Sequence, residues 1–467
     1  MVFSSLTFLY FYLPAVMIIY FICPNKFKNL FILISGLFFY AWGEPIYVLI
    51  MLLSTLIDYT AGRLIHHFDS DNKKRTLFLV VSVCMNIGLL AIFKYSSFFI
   101  QNINSIFGAD IYNPNLPLPI GISFYTFQSM SYTIDLYRRN IKVQRNFINF
   151  AAYVTLFPQI VAGPIVRYED VQNELDSRII NVNKVSEGIA YFVKGLSKKV
   201  LLANNIGLVW TQVKASDFSE ISMATAWIGI LAFTFQIYFD FSGYSDMAVG
   251  LGKMMGFNFP ENFNYPYISK SISEFWRRWH ITLGSWFKSY VYFPLGGSKK
   301  GLPRTLINLL IVWMLTGLWH GASWNFILWG LYFGILIIIE KLGFGKILEK
   351  LPAVLSTLYT FIMVVFGWVL FETESLTDCA MYFKAMLGGT GVYLDSNAKY
   401  LLLSNLIIFI ICILGSTKIF KKLYEKAVFK FNLLMLYIQP LAELGMMALC
   451  TAFLVNATYN PFLYFRF

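Results

Sequence analysis

The chain has 467 residues, of which 57% are hydrophobic and only 13% are charged. Soluble globular proteins carry roughly 25% charged residues, so this composition excludes an ordinary soluble domain and indicates several membrane crossings. The formal net charge of +12 would suit a nucleic-acid binder, but lysine and arginine lie in short loops between apolar segments. That distribution favours the positive-inside rule over nucleic-acid binding.

The first apolar segments alternate with basic and non-basic loops. They are predicted over residues 3–23, 30–42, 47–59, 77–100 and 121–137. Basic residues follow the first, third and fifth segments, whereas the loop over 101–120 has no lysine or arginine. The positive-inside rule therefore places Met1 outside the cytoplasm. Residues 3–23 lack a basic leader and a small-residue cleavage site, so we interpret them as a retained helix.

Three segments have features that an ordinary membrane span lacks. Residues 121–137 are rich in Ser, Thr, Tyr and Gln, which predicts a buried polar lining. Residues 147–166 contain two prolines and a glycine, so we expect a broken or re-entrant helix there. Residues 185–205 contain three lysines, including Lys199, and are expected to form an interfacial amphipathic helix at the cytoplasmic face.

Residues 224–255 form a long apolar segment that contains the polar motif DFSGYSD, from Asp240 to Asp246. Carboxylates at membrane depth usually face a functional site or a charged partner. We leave both roles open. The structural alternative is an ion pair of one aspartate with Arg277 or Arg278.

A basic, aromatic stretch follows over residues 257–297. Ser271 or Ser273 with Glu274 resembles a helix start, and large apolar residues then repeat at helical spacing. His280 is therefore predicted on an amphipathic helix at the inner interface. The alternative is an interfacial anchor without a catalytic role, which is a common use of such aromatic stripes.

His320 lies between two apolar segments, residues 305–318 and 324–339. The first covers roughly 20 Å as a helix, less than a hydrocarbon core of about 30 Å. We therefore expect His320 inside the membrane profile, towards its outer half. An ionisable residue at that depth predicts a functional site; the alternative is a histidine that only hydrogen-bonds a neighbouring helix.

The remaining chain continues the same alternation. Further crossings are predicted over residues 353–371, 400–415 and 433–455, with residues 372–399 and 460–467 outside the cytoplasm. We thus predict an all-α membrane protein with about ten to twelve transmembrane or re-entrant helices around a central channel. It is expected to be one domain over residues 1–467, with a motif-bearing core over residues 110–345.

Other residues that can bind metals give weak signals. His66 and His67 are interpreted as solvated loop residues, with metal binding as the alternative. The five cysteines are scattered without a CxxC pair, which argues against a disulfide or zinc framework. No metal site is predicted.

Five motifs stand out: LPLPIGISF (116–124), FPQIVAGP (157–164), DFSGYSD (240–246), EFWRRWH (274–280) and LWHG (318–321). Together they resemble the membrane-bound O-acyltransferase superfamily, and within it the bacterial alginate O-acetylase branch. The similarity runs from FFYAWG (38–43) to the terminal YNPFLYFRF (459–467), which is nearly the whole chain.

The resemblance implies that His320 is the active-site histidine and that His280 is the second functional position. It also implies acetyl-CoA, or another acyl donor, as a substrate on the cytoplasmic side, with no tightly bound cofactor. The expected partners are an extracytoplasmic acetyltransferase or a polysaccharide acceptor, and the expected location is a bacterial plasma membrane.

The chemistry of these residues fits that implication. A neutral imidazole can take the proton of a hydroxyl that attacks an acyl carbonyl, and burial would keep His320 neutral. His280 could hydrogen-bond or orient the donor carbonyl. A channel would bring a cytoplasmic donor towards an extracytoplasmic hydroxyl. The alternatives are D-alanyl transfer to teichoic acid, a polysaccharide transporter or flippase, and a noncatalytic scaffold.

Overall fold

The computed structural model describes residues 1–161, 163–456 and 462–463. Every regular element among these residues is a helix, so the all-α prediction is confirmed. The chain divides into two compact units, one of Met1–Phe192 with Ser245–Glu261 and one of Val193–Tyr244 with Asn262–Phe467. The single domain over residues 1–467 stays a prediction. Of the predicted outer segment 460–467, all but Phe462 and Leu463 lie outside the described residues.

The helices of the first unit include short π-helical and 3₁₀ segments near the N-terminus. They are Phe8–Tyr12, Leu13–Ile22, Asn25–Phe27, Lys28–Ala41, Val48–His67, Asn72–Phe107, Ile122–Tyr137, Phe147–Val154, Phe157–Ile160 and Tyr168–Asp176. Two longer helices have residues in both units, namely Val182–Ser197 and Met223–Met254.

The second unit contains the predicted histidine motifs. Its helices up to the second histidine are Lys198–Ala203, Asn204–Lys214, Pro266–Ile268, Ile272–Arg278, Ile281–Phe287, Lys288–Tyr292 and Leu302–His320. Those that follow are Trp324–Ile339, Glu340–Phe344, Gly345–Lys350, Ala353–Glu372, Leu376–Met386, Ser396–Ser404, Leu406–Gly415, Ile419–Lys430 and Asn432–Asn456.

Membrane-length apolar helices occur in both units. Among the described residues, seven are long and apolar enough to cross a membrane: Val48–His67, Asn72–Phe107, Met223–Met254, Leu302–His320, Trp324–Lys350, Ala353–Glu372 and Asn432–Asn456. The helices Ser396–Ser404 and Leu406–Gly415 are bent by 60° at their junction, and counting this pair as one span brings the number among the described residues to eight. The other apolar segments are shorter helices such as Lys28–Ala41. The chain is a multi-pass membrane protein.

The first unit has the polar interior that the sequence predicts. Nearly every residue of helix Ile122–Tyr137 is buried. Beside it, Asp58 Oδ1 accepts hydrogen bonds from Ser82 Oγ at 2.5 Å and from Asn86 Nδ2 at 2.7 Å. Ser54 Oγ in turn donates to Asn86 Oδ1 at 2.7 Å. Buried hydrogen bonds of this kind hold helices together where the hydrophobic effect cannot.

Two predictions about the first 200 residues need correction. His66 and His67 are exposed as predicted, but they occupy the last turn of helix Val48–His67 instead of a loop, because the helix continues past the apolar stripe. Lys199 does not lie on an interfacial face. It is 3% exposed and forms an ion pair with Asp240, which compensates its charge in the interior.

The prediction for the broken segment is confirmed, whereas the ion pair predicted for the aspartate motif is wrong for Asp240. Residues 147–166 contain two short helices, Phe147–Val154, which is exposed only at its start, and the buried Phe157–Ile160, so the predicted break is confirmed. The motif from Asp240, in contrast, lies within one unbroken helix, Met223–Met254. Asp240 pairs with Lys199 instead of Arg277 or Arg278, and it also accepts the backbone N–H of Leu463 at 3.0 Å.

Candidate active site

The short helix before His280 begins at two caps. Ser271, one of the two serines predicted to start the helix, accepts the backbone N–H of Glu274 through Oγ at 3.0 Å. The Glu340 carboxylate, 7% exposed, accepts the first two backbone N–H groups of helix Ile272–Arg278 at 2.6 and 2.9 Å. N-terminal N–H groups have no partner within their own helix and favour negative charge. A carboxylate distant in sequence therefore fixes where this helix starts.

The predicted single helix across His280 is wrong, because the chain breaks there into helices Ile272–Arg278 and Ile281–Phe287. His280 has φ 44° and ψ 53°, in the left-handed region. That conformation costs a residue with a Cβ roughly 1–2 kcal/mol. Such strain persists only where surrounding contacts impose it, and it concentrates at functional sites.

The contacts that hold this break come from residues 262–264, which precede the helix in the chain. Ile281 N–H donates to Asn262 O at 3.0 Å, and Asn264 N–H donates to Arg278 O at 2.9 Å. These two bonds pair the backbone on both sides of His280 with residues 262–264. The chain around His280 satisfies its backbone groups there instead of in a continuous helix.

The His280 imidazole is 2% exposed. Its Nδ1 lies 3.1 Å from Asn262 Oδ1, which also accepts Thr282 N–H at 3.2 Å and Thr282 Oγ1–H at 2.9 Å. The ring packs edge-on to Phe241, with centroids 4.7 Å apart. Burial lowers the pKa of His280 from 6.5 to about 3, so the neutral imidazole is the favoured form.

His320 is the last residue of helix Leu302–His320 and is 5% exposed. Three aromatic rings surround its imidazole, those of Trp319, Trp329 and Phe371, with centroids at 5.0, 4.9 and 5.4 Å. Trp329 and Phe371 are themselves 1% and 3% exposed. His320 therefore packs against aromatic rings that lie in the core.

Close helix packing brings Trp329 to His320. A Cβ on Gly317 would lie 2.2 Å from Phe326 O, and a Cβ on Gly330 would lie 2.2 Å from Trp313 O. Glycine at both positions lets helices Leu302–His320 and Trp324–Ile339 approach to backbone contact, as small residues do between membrane helices.

One tryptophan connects the two histidines. The Trp319 ring centroid lies 6.0 Å from that of His280 and 5.0 Å from that of His320. The two imidazole centroids are therefore at most 11.0 Å apart, the sum of these distances. Both predicted site residues are buried in one aromatic cluster, although 40 positions separate them in sequence (320 − 280). Their catalytic roles stay predictions.

Other residues of this site were not identified from the sequence. Asn262 and Glu340 lie 18 and 68 residues from the groups that they contact, and no periodic pattern links them to those groups. The polar Asn262 in the aromatic stretch NFPENFNYPY was the available signal. The membrane depth predicted for His320 stays a prediction, but its helix is longer than expected because it begins at Leu302.

Comparison with known proteins agrees with the family that the motifs indicate. The family model of MBOAT, the membrane-bound O-acyltransferase family, covers residues 30–371 and so includes both histidines. The chain is 41% identical over 391 residues to the probable alginate O-acetylase AlgI of Pseudomonas putida, covering 83% of this chain and 80% of that protein. The resemblance seen in the sequence is confirmed.

Two further relatives are named as transferases of peptidoglycan and of teichoic acid. The peptidoglycan O-acetyltransferase of Helicobacter pylori is 33% identical over 435 residues, covering 85% of this chain and 82% of that protein. The teichoic acid D-alanyltransferase of Bacillus subtilis is 29% identical over 285 residues, covering 55% of this chain and 69% of that protein. The chain belongs to the membrane-bound O-acyltransferase family, and it is a multi-pass membrane O-acyltransferase.

Proposed function

We propose that this protein transfers an acetyl group from cytoplasmic acetyl-CoA to hydroxyls of an extracytoplasmic polysaccharide, such as an alginate-like envelope glycan. The observation that carries the proposal is the pair of buried imidazoles, His280 and His320, that share contact with Trp319. Alignments with the two O-acetyltransferases cover 83% and 85% of this chain, against 55% for the D-alanyltransferase.

In the proposed reaction, His320 accepts the proton of the attacking hydroxyl as its oxygen bonds to the thioester carbonyl carbon. The C–S bond then breaks, and His320 returns the proton to the leaving thiolate. The products are the acetyl ester and free CoA, with the imidazole neutral again. Proton transfer by a positioned base contributes typically about 10²–10⁴-fold to such rates.

The aromatic surroundings support this role for His320. Rings at 4.9, 5.0 and 5.4 Å limit the access of water to the imidazole. Exclusion of water protects a thioester from hydrolysis and strengthens local electrostatic interactions.

The proposed setting is a bacterial plasma membrane with Met1 on the extracytoplasmic side. The positive-inside distribution of lysine and arginine supports that orientation. The donor would reach the site from the cytoplasm, while the acceptor polysaccharide or a partner acetyltransferase would act on the other side.

The test uses inside-out membrane vesicles that contain the protein and receive acetyl-CoA labelled in the acetyl group. We expect label in a polymer or a partner acetyltransferase, and we expect a rate at least about 10²-fold lower for His320→Ala. Unchanged transfer by a folded His320→Ala protein would contradict the proposal. Labelled D-alanine on its carrier is the control donor, and preferential transfer of D-alanine would instead identify a D-alanyltransferase.

A further inference from the structure

The hydrogen bond between His280 and Asn262 has a direction that a third group determines. Asn262 Oδ1 lies 3.2 Å from the backbone nitrogen of Thr282, which can only donate. The amide atom at that position must therefore be oxygen, because the NH₂ group would place hydrogen against hydrogen. The same oxygen faces His280 Nδ1 at 3.1 Å.

An oxygen acceptor opposite Nδ1 requires the proton to be on Nδ1. A neutral imidazole carries one N–H, so its other nitrogen, Nε2, bears a lone pair. The ring is enclosed by Phe241, Phe263 and Trp319, with centroids at 4.7, 6.5 and 6.0 Å. These apolar faces favour the neutral form, in which the tautomer matters.

We propose that Asn262 is a positioning residue that holds His280 in the Nδ1–H tautomer, so that Nε2 is a hydrogen-bond acceptor in the acyl-transfer site. The tautomer follows from the geometry, and its consequence for catalysis rests on the proposed function. Nε2 in this form cannot donate to the oxygen of the acyl carbonyl. It accepts from an O–H, N–H or S–H group, such as the attacking hydroxyl or an amide N–H of the donor.

The backbone keeps both ends of this hydrogen bond in place. Ile281 N–H donates to the carbonyl of Asn262 itself, at 3.0 Å. His280 adopts its left-handed conformation directly before Ile281. The same short pairing therefore sets the position of Asn262 and the direction in which the His280 side chain leaves the backbone.

Nitrogen NMR of the wild-type protein, labelled with ¹⁵N at histidine, tests the tautomer. The chain has only four histidines, and a His280→Gln sample identifies the signals of His280. We expect a protonated Nδ1 and a bare Nε2 for His280. A protonated Nε2 with a bare Nδ1, or protons on both nitrogens at neutral pH, would overturn the proposal.

Variants of Asn262 test its positioning role. Asn262→Leu removes the acceptor, and we expect kcat to fall at least about tenfold while KM changes less than about twofold. Asn262→Asp keeps an oxygen acceptor and should restore part of kcat and the Nδ1–H signal. Asn308→Leu is the matched control, since Asn308 is fully buried but bonds backbone carbonyls at 3.3 and 3.0 Å. It should leave the His280 signals unchanged.

The two proposals fail in different ways. If Asn262→Leu leaves the tautomer and kcat unchanged while His320→Ala is inactive, the positioning role is wrong and the acyl-transfer function stands. If NMR shows the Nδ1–H tautomer but labelled acetyl-CoA gives no product, the tautomer stands and the proposed function is wrong.

Discussion

His280 and His320 lie in one aromatic cluster, yet their backbones and their described neighbours differ. His280 lies at a break between two helices of seven residues each, with a left-handed backbone and a hydrogen bond to Asn262. His320 ends a regular 19-residue helix and is surrounded by Trp319, Trp329 and Phe371. Asn262 makes a polar contact with the His280 ring, and three aromatic rings pack against the His320 ring.

The difference has a chemical consequence. A hydrogen bond to one ring nitrogen selects a tautomer, whereas packing against ring faces selects an orientation and excludes water. His280 is therefore expected to be sensitive to the loss of a single polar atom. His320 is expected to be sensitive to the loss of volume. Substitutions around each ring test this contrast.

The largest effect is expected from Trp329→Ala. Trp329 is 1% exposed and contacts the His320 ring, so its removal leaves a cavity beside the base. We expect the free energy of unfolding to fall by about 3–5 kcal/mol. Acetyl transfer should fall with it. The control is Trp324→Ala on the same helix, because Trp324 is 52% exposed. Its free energy of unfolding, measured in detergent, should fall by less than about 1 kcal/mol.

Glu340→Gln should act on the His280 side of the cluster. The carboxylate caps the helix that precedes His280, and its replacement weakens charge-assisted hydrogen bonds to buried N–H groups. The expected loss is about 1.5–3 kcal/mol in the free energy of unfolding. Acetyl-transfer assays should show a lower rate. Glu349→Gln, at an exposed site on the adjoining helix Gly345–Lys350, should change neither quantity; an equal loss there would remove the capping explanation.

Gly317→Ala should disturb the His320 side through its helix pair. The added methyl would lie 2.2 Å from Phe326 O, so helices Leu302–His320 and Trp324–Ile339 must separate. Overpacking of this kind costs about 1–3 kcal/mol. Gly445→Ala has no atom within 4 Å of the new Cβ and should leave stability unchanged or raise it slightly. Equal thermal midpoints for the two variants would contradict the close approach.

The smallest expected effect is the difference in stability between a glycine and an alanine variant, which should have opposite signs at the two histidines. At His280, with φ 44°, glycine relieves strain, so His280→Gly should be more stable than His280→Ala by up to about 1 kcal/mol. At His320, the last residue of a right-handed helix, His320→Ala should be more stable than His320→Gly by up to about 0.5 kcal/mol. The free energies of unfolding of the four variants give both differences. If the glycine variant were the more stable one at both positions, or the less stable one at both, the contrast between the two backbones would be contradicted.

The sequence was sufficient for features that depend on composition and local pattern. Apolar length predicted the span Ala353–Glu372 to within one residue, and Ser271 or Ser273 with Glu274 predicted the start of the helix before His280. The rarity of histidine in an apolar context singled out His320 as a candidate, and its catalytic role stays a prediction. Each of these signals lies within about 20 residues of the chain.

Features that depend on distant partners were beyond such patterns. The aromatic repeat around His280 has helical spacing, but backbone pairing with residues 262–264 breaks the helix there. Lys199 looks like an interfacial charge until Asp240 is placed beside it, 41 residues later in the chain. Asn262 and Glu340 contact the site only because the fold brings them there, and tertiary contacts override local preference in each case.

The central claim is that the two imidazoles belong to one catalytic site. A double-mutant cycle of His280→Ala and His320→Ala, measured as initial rates of transfer from labelled acetyl-CoA in vesicles, tests it most directly. Residues that act as a unit are strongly non-additive, so we expect the double variant to be about as slow as the slower single variant. Rate losses that multiply, with each histidine acting independently of the other, would contradict the claim.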